Sequence, residues 1–99
     1  MTIYNFKDKA TEDIGQSINS QITRARLPKE LHRIAIIKLQ LLDKSKSLES
    51  LRTINSNRLE ALKGNRQGQF SIRINDQYRI CFEWKGEYAY NVEIVDYHK

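Results

Sequence analysis

The chain is predicted to be an α+β protein, with two N-terminal helices packed on a small antiparallel sheet. Three observations predict it. Apolar residues of the first half recur at helical spacing: Ala10, Ile14 and Ile18, then Leu31, Ile34, Ala35, Leu41 and Leu42, with Lys38 in the same series. Those of the second half alternate with polar residues, Phe70, Ile72 and Ile74 against Ser71, Arg73 and Asn75, then Tyr78, Ile80, Phe82 and Trp84 against Arg79, Cys81 and Glu83. A spacing of three to four marks a helix and a spacing of two marks a strand. Finally, 99 residues suffice for one core, so both halves are expected to share it in a single domain, 1–99.

The elements follow in order. Residues 2–6 form a short β-like lead. The first helix runs through Ala10, Ile14 and Ile18, weakened but not forbidden by Gly15. Residues 25–27 connect it to Pro28, which suits a first helical turn because its missing N–H costs nothing there. The second helix carries Ile36, Ile37 and Leu39 besides its main stripe, so more than one of its faces is apolar. Such a helix is expected to be buried or covered by a partner. Residues 47–51 can add one turn, and the polar residues 53–57 read as a loop. Three strands come next, around residues 70–74, 78–84 and 88–95, joined by turns at Asn75-Asp76-Gln77 and Lys85-Gly86-Glu87. They make an antiparallel meander with one apolar and one polar face.

Composition narrows the function classes. The hydrophobic fraction of 39% and charged fraction of 29% fit a soluble globular protein. No apolar run approaches the roughly 18 residues of a membrane span, and residues 1–7 lack the apolar segment of a signal peptide. The single cysteine, Cys81, has no partner for an internal disulfide, so a cytoplasmic location is expected. His32 and His98 are far apart and Cys81 lies within a strand, so no metal-ligand spacing occurs and no cofactor is expected. His32 reads as a surface residue and Cys81 as structural. Neither a P-loop nor a nucleophile elbow is present.

The net charge of +5 is concentrated. Between residues 52 and 79 stand Arg52, Arg58, Lys63, Arg66, Arg73 and Arg79, against Glu60 and Asp76. A basic middle in a small domain points to a polyanion, foremost nucleic acid. Pairing Ile74 with Tyr78 across the turn keeps both apolar stripes on one face, and that register sets Arg73 opposite Arg79. Like charges directly opposite are destabilising. A phosphate held between the two would relieve the repulsion, and an arginine fork suits phosphate oxygens. Arg58, Lys63 and Arg66 lie just before the hairpin beside Gly64 and Gly68, where backbone can approach a nucleic acid closely.

The last strand delivers Asp96, Tyr97 and His98, an acid, a phenol and an imidazole in succession. These are proton-handling side chains. Together with Lys63, Arg73 and Arg79 they meet the needs of a metal-free reaction, RNA cleavage by attack of the ribose 2′-OH on the adjacent phosphate. A base accepts the hydroxyl proton, an acid protonates the leaving 5′-oxygen, and cations stabilise the pentacovalent phosphate. DNA, lacking the 2′-OH, is excluded as a substrate of this chemistry.

Three stretches carry a family resemblance: Asn57-Arg58-Leu59-Glu60-Ala61-Leu62-Lys63-Gly64, Gly68-Gln69-Phe70-Ser71-Ile72-Arg73-Ile74-Asn75-Asp76-Gln77-Tyr78-Arg79-Ile80-Cys81-Phe82, and Asn91-Val92-Glu93-Ile94-Val95-Asp96-Tyr97-His98. In that order, and with Phe6-Lys7-Asp8-Lys9 near the start, the chain resembles a HigB-type toxin of the RelE/ParE superfamily. The resemblance implies a bacterial type II toxin that cuts messenger RNA in the ribosomal A site. It also implies neutralisation by a HigA-type helix-turn-helix antitoxin, with operator DNA reached only through that antitoxin, and no membrane partner. By position, Lys63 and Arg79 match basic active-site residues, Asp96, Tyr97 and His98 match the C-terminal catalytic motif, and Arg73 matches a basic position of the wider superfamily. The chain departs at Glu60, where some relatives carry a histidine. Two other readings stay open on the same residues: a ParE-like poison of DNA gyrase, and a catalytically weak relic that acts only by binding antitoxin.

Overall fold

The computed structural model describes residues 2–97. Its sheet contains β1 (Thr2–Ile3), β2 (Glu60–Ala61), β3 (Gln69–Arg73), β4 (Tyr78–Lys85) and β5 (Tyr88–Asp96), in the spatial order β1-β5-β4-β3-β2. The helices are α1 (Lys9–Gly15), α2 (Gln21–Arg26), α3 (His32–Lys44) and α4 (Leu48–Arg52). The α+β class agrees with the reading of the sequence. The details differ in two respects.

Four helices stand where two and one further turn were predicted, and that turn, expected at residues 47–51, is α4 (Leu48–Arg52). The first predicted helix splits: α1 ends at Gly15, and Ile18 lies outside it, 41% exposed. Ser20 then starts α2 with a capping box, its hydroxyl accepting from Thr23 N at 3.2 Å while Thr23 Oγ1 accepts from Ser20 N at 2.8 Å. Two orphan amides are thereby satisfied, which lets so short a helix form and extend into Ala25 and Arg26, read as part of a connector. Pro28 precedes a single 3-10 turn, and α3 itself begins at His32.

The sheet is mixed and five-stranded rather than a three-stranded antiparallel meander. The meander of β3, β4 and β5 is present, but β1 pairs in parallel with β5 and β2 adds antiparallel to β3. β1 falls within the β-like lead read at residues 2–6, whose parallel pairing the sequence does not show, and β2 is two residues long, too short for a period of two to show in sequence.

One face of the sheet is dry. Ile72, Ile80, Phe82, Val92 and Ile94 are at most 1% exposed and share a core with Ile14, Leu39 and Leu42 from the helices. Burying each such side chain contributes about 1.5–3 kcal/mol. α3 buries Ala35, Lys38, Leu39 and Leu42 but leaves Ile34 and Ile37 at 37% and 52% exposure, so its second apolar face is uncovered in the chain alone.

Two ties fix β5 relative to the helices. The Thr11 hydroxyl accepts from Ile94 N at 3.1 Å, and Arg26 donates to Asp8 Oδ2 at 2.8 Å and to the Ile94 carbonyl at 3.3 Å. The register between β4 and β5 shifts between Cys81 and Glu83, with Asn91 at φ 53. This bulge absorbs one residue and returns Tyr90 to the face that carries Glu93.

Candidate active site

The β3–β4 hairpin supplies the centre of the site. Asn75 Oδ1 accepts from Gln77 N at 2.9 Å and Tyr78 N at 2.7 Å, an Asx turn that closes the connection. The resulting register sets Arg73 directly across from Arg79, as the alternation predicted. Part of the repulsion is met within the chain. Arg73 ion-pairs with Asp76, and Arg79 is tied to neutral groups.

Arg79 is held from three sides. Its Nε donates to Ser71 Oγ at 2.7 Å, its Nη2 donates to the Arg58 carbonyl at 2.6 Å, and its guanidinium carbon lies 5.6 Å from the Tyr97 ring centroid. Ser71 is fully buried, so it is a fixed anchor. Arg58 adopts a left-handed conformation at φ 47 and ψ 49, which costs a non-glycine residue about 1–2 kcal/mol and turns its carbonyl onto Arg79. Among the described residues the other Arg79 N–H groups have no hydrogen-bond partner, and Arg79 lines the cleft described next.

These residues border an open cleft of about 660 Å³, lined by Arg58, Glu60, Arg73, Asn75, Asp76, Gln77, Arg79 and Tyr97. Three arginines face two carboxylates. Tyr97 N donates to the Gln77 carbonyl at 2.6 Å, pinning the residue after β5 to the hairpin turn. Sequence positions nearly 40 apart, from Arg58 to Tyr97, thus meet at one end of the sheet's polar face.

The predicted residues divide. Arg58, Arg73, Arg79 and Tyr97 come together in the cleft. Asp96 does not line it: it stands across the ladder from Tyr78, and its carboxylate accepts from Gln77 Nε2 at 3.1 Å at the rim. Lys63 is exposed on the loop after β2, outside the lining. Arg66 is drawn farther along the polar face by Gln69 Oε1 at 3.0 Å and Glu93 at 3.6 Å, a carboxylate that Lys7 also binds at 3.1 Å. His98 lies outside the described residues.

Sequence reasoning passed over Ser71, Gln77 and the placement of Glu60. Ser71 occupies the polar stripe between Gln69 and Arg73, and that place was the available signal. Glu60 enters because β2 sets it across from Ser71, a pairing that two residues of strand do not announce. Cys81 is fully buried on the same stripe, and its thiol is pushed up to about 11, chiefly by burial. Among the described residues no three His, Cys, Asp or Glu side chains converge as a metal site.

Comparison with known proteins agrees with these elements in sequence. A family model described as the RelE-like toxin of the type II toxin–antitoxin system HigB matches residues 4–98. Toxin HigB-1 of Vibrio cholerae serotype O1 is 36% identical over 94 residues, covering 95% of each chain. An uncharacterized protein of Haemophilus influenzae is 29% identical over 70 residues, covering 71% of this chain and 69% of its own. The match spans every strand and helix from α1 to β5 together with the residues of the cleft, and the chain belongs to the HigB-like family of RelE-like toxins of type II toxin–antitoxin systems.

Proposed function

We propose that this toxin is a ribosome-dependent endoribonuclease that cleaves messenger RNA in the ribosomal A site by metal-free attack of the ribose 2′-OH, and so arrests translation. The observation that carries the reading is Arg79, immobilised by Ser71, Arg58 and Tyr97 with its free donors at a cleft that Arg73 and Arg58 make cationic. Fixed cations aimed where charge develops are the costliest part of this chemistry to supply in water. Arg79 is assigned to the pentacovalent phosphate, and Arg73 and Arg58 to the flanking phosphates. Proton transfer falls to Tyr97, Glu60 and His98, with Asp96 at the rim. Lys63, exposed on its loop, and Arg66, half-buried against Glu93, are assigned to the RNA beyond the cleft.

A toxin of this class has an antitoxin partner, here proposed to be HigA-type, with a helix-turn-helix that carries the complex to operator DNA. Its contact is placed on the helical side, where Ile36 and Ile37 border an apolar groove of about 340 Å³ beside Ile14. Among the described residues no helix is long and apolar enough to cross a membrane. A bacterial cytoplasmic location is part of the proposal, because the proposed target is the ribosome.

Induction without antitoxin, followed by mapping of messenger 5′ ends, tests the reading. New ends at codon positions on translated messages are expected, and they should vanish in Arg79→Ala. Growth arrest with intact messages and inhibited gyrase supercoiling would instead assign the chain to the gyrase poisons.

A further inference from the structure

Lys38 is a buried lysine, 6% exposed, on the core side of α3 among Ala35, Leu39 and Leu42. Burying an ammonium is costly unless it is well paired, and an apolar side chain would serve packing alone. Its partners among the described residues are neutral: Asn57 Oδ1 at 2.6 Å and Ser56 Oγ at 3.1 Å. Asn57 is fully buried, and its Nδ2 donates to the Leu51 carbonyl at 3.0 Å. The amide is therefore gripped at both ends, by Lys38 from α3 and by the last turn of α4.

The backbone immediately after Asn57 gives that grip a purpose. The next residue is Arg58, in its left-handed conformation, with its N–H on the Asn55 carbonyl at 3.1 Å and its own carbonyl accepting from Arg79. A turn in a disfavoured conformation persists only where its surroundings over-determine it. Burial, and next the nearby Arg73 charge, hold the Lys38 ammonium below its ordinary value.

We infer that Lys38 is a positioning residue for the cleft: it locks Asn57, and through the Asn57–Arg58 turn it sets the carbonyl that holds Arg79. The inference rests on the cleft being the reaction site proposed above. It makes α3, otherwise a core helix, part of the catalytic architecture.

The test uses the purified toxin with Lys38→Met and Lys38→Arg. Hydrogen exchange at the Arg79 Nη–H groups, read by 15N NMR, reports the linkage directly, because Nη2 is the donor to the Arg58 carbonyl. Lys38→Met is expected to speed that exchange by at least roughly tenfold while the protein stays folded, with a modest fall in melting temperature because the variant removes a buried charge but leaves Asn57 Oδ1 without its donor. Cleavage of ribosome-bound messenger should lose roughly ten- to a hundredfold in kcat with KM little changed, as expected for misplacement of a reacting group. Lys38→Arg, which keeps the cation, should recover most of both. Wild-type exchange in Lys38→Met, or a rate loss matched by lost folded fraction, would overturn the inference. If Lys38→Met does not fold, Lys38→Gln carries the test, with intermediate exchange expected and unchanged exchange contradicting it. If the wild type cuts no RNA, the functional reading fails by itself, and the exchange measurement still decides the linkage.

Discussion

The two faces of β3 and β4 are built from alternate residues of the same strands, yet they do different work. Ile72, Ile80 and Phe82 point to the helices and are at most 1% exposed. Ser71, Arg73 and Arg79 point the other way, and Arg73 and Arg79 line the cleft. Stability comes from the first face by area. Binding is assigned to the second, and a like-charged pair is tolerable there because Asp76, Ser71 and the Arg58 carbonyl share the load. The polar face is itself uneven. Its middle, at Ser71 and Cys81, is fully buried, with Arg66, Lys7 and Glu93 paired nearby, and the cleft lies beyond it at the Arg73 and Arg79 end.

The comparison breaks most visibly in the core. Phe82→Ala should lower stability by about 3–5 kcal/mol, read by urea unfolding, while the folded fraction keeps its RNA affinity. If affinity fell in the folded fraction, the faces would not be separable. Arg73→Ala is the counterpart on the other face. It should leave the unfolding midpoint almost unmoved and weaken RNA binding by roughly tenfold, with the slope of log affinity against log salt shallower by about 0.7. An unchanged slope would remove Arg73 from the phosphate contacts.

Smaller effects sharpen the boundary where α1 and α2 meet β5. Burial raises the Asp8 carboxyl, but the Arg26 hydrogen bond and the Thr11 N–H outweigh it and hold it below the ordinary 3.8. A carboxylate so lowered stabilises the fold above its unfolded value, and the stabilisation is lost as pH falls through the folded value. Thermal melts of wild type and Asp8→Asn should therefore differ most near neutral pH and converge in strong acid. Parallel curves at every pH would sink this assignment. The smallest signal is at Cys81, whose buried thiol at about 11 should label only as fast as the protein unfolds. Fast labelling of the native protein would show that the middle of the polar face opens.

Much of the cleft was legible because strand alternation is a strict rule. Once Ile72 and Ile80 were set inward, Arg73 and Arg79 had to face outward and meet. Tyr97 followed from the third strand. The features that escaped depend on short elements and on backbone conformation. The Arg58 carbonyl matters only because that residue is left-handed, and nothing in an arginine announces it. Glu60 was legible as a residue but not as a neighbour of Ser71. Arg66 was legible as a basic residue, but local charge density does not reveal that Glu93 draws it along the polar face, away from the cleft. Of the helices, α2 escaped for a related reason, since a Ser20–Thr23 capping box outweighs the weak propensity of so short a segment.

The central claim is that Arg79, not the fold at large, supplies the chemistry. Its most direct test is cleavage of messenger in purified ribosome complexes by wild type and Arg79→Ala, with both melting temperatures measured. The expected result is a rate about 10²–10³-fold lower for Arg79→Ala at nearly equal stability. Equal cleavage rates from two equally stable proteins would contradict it.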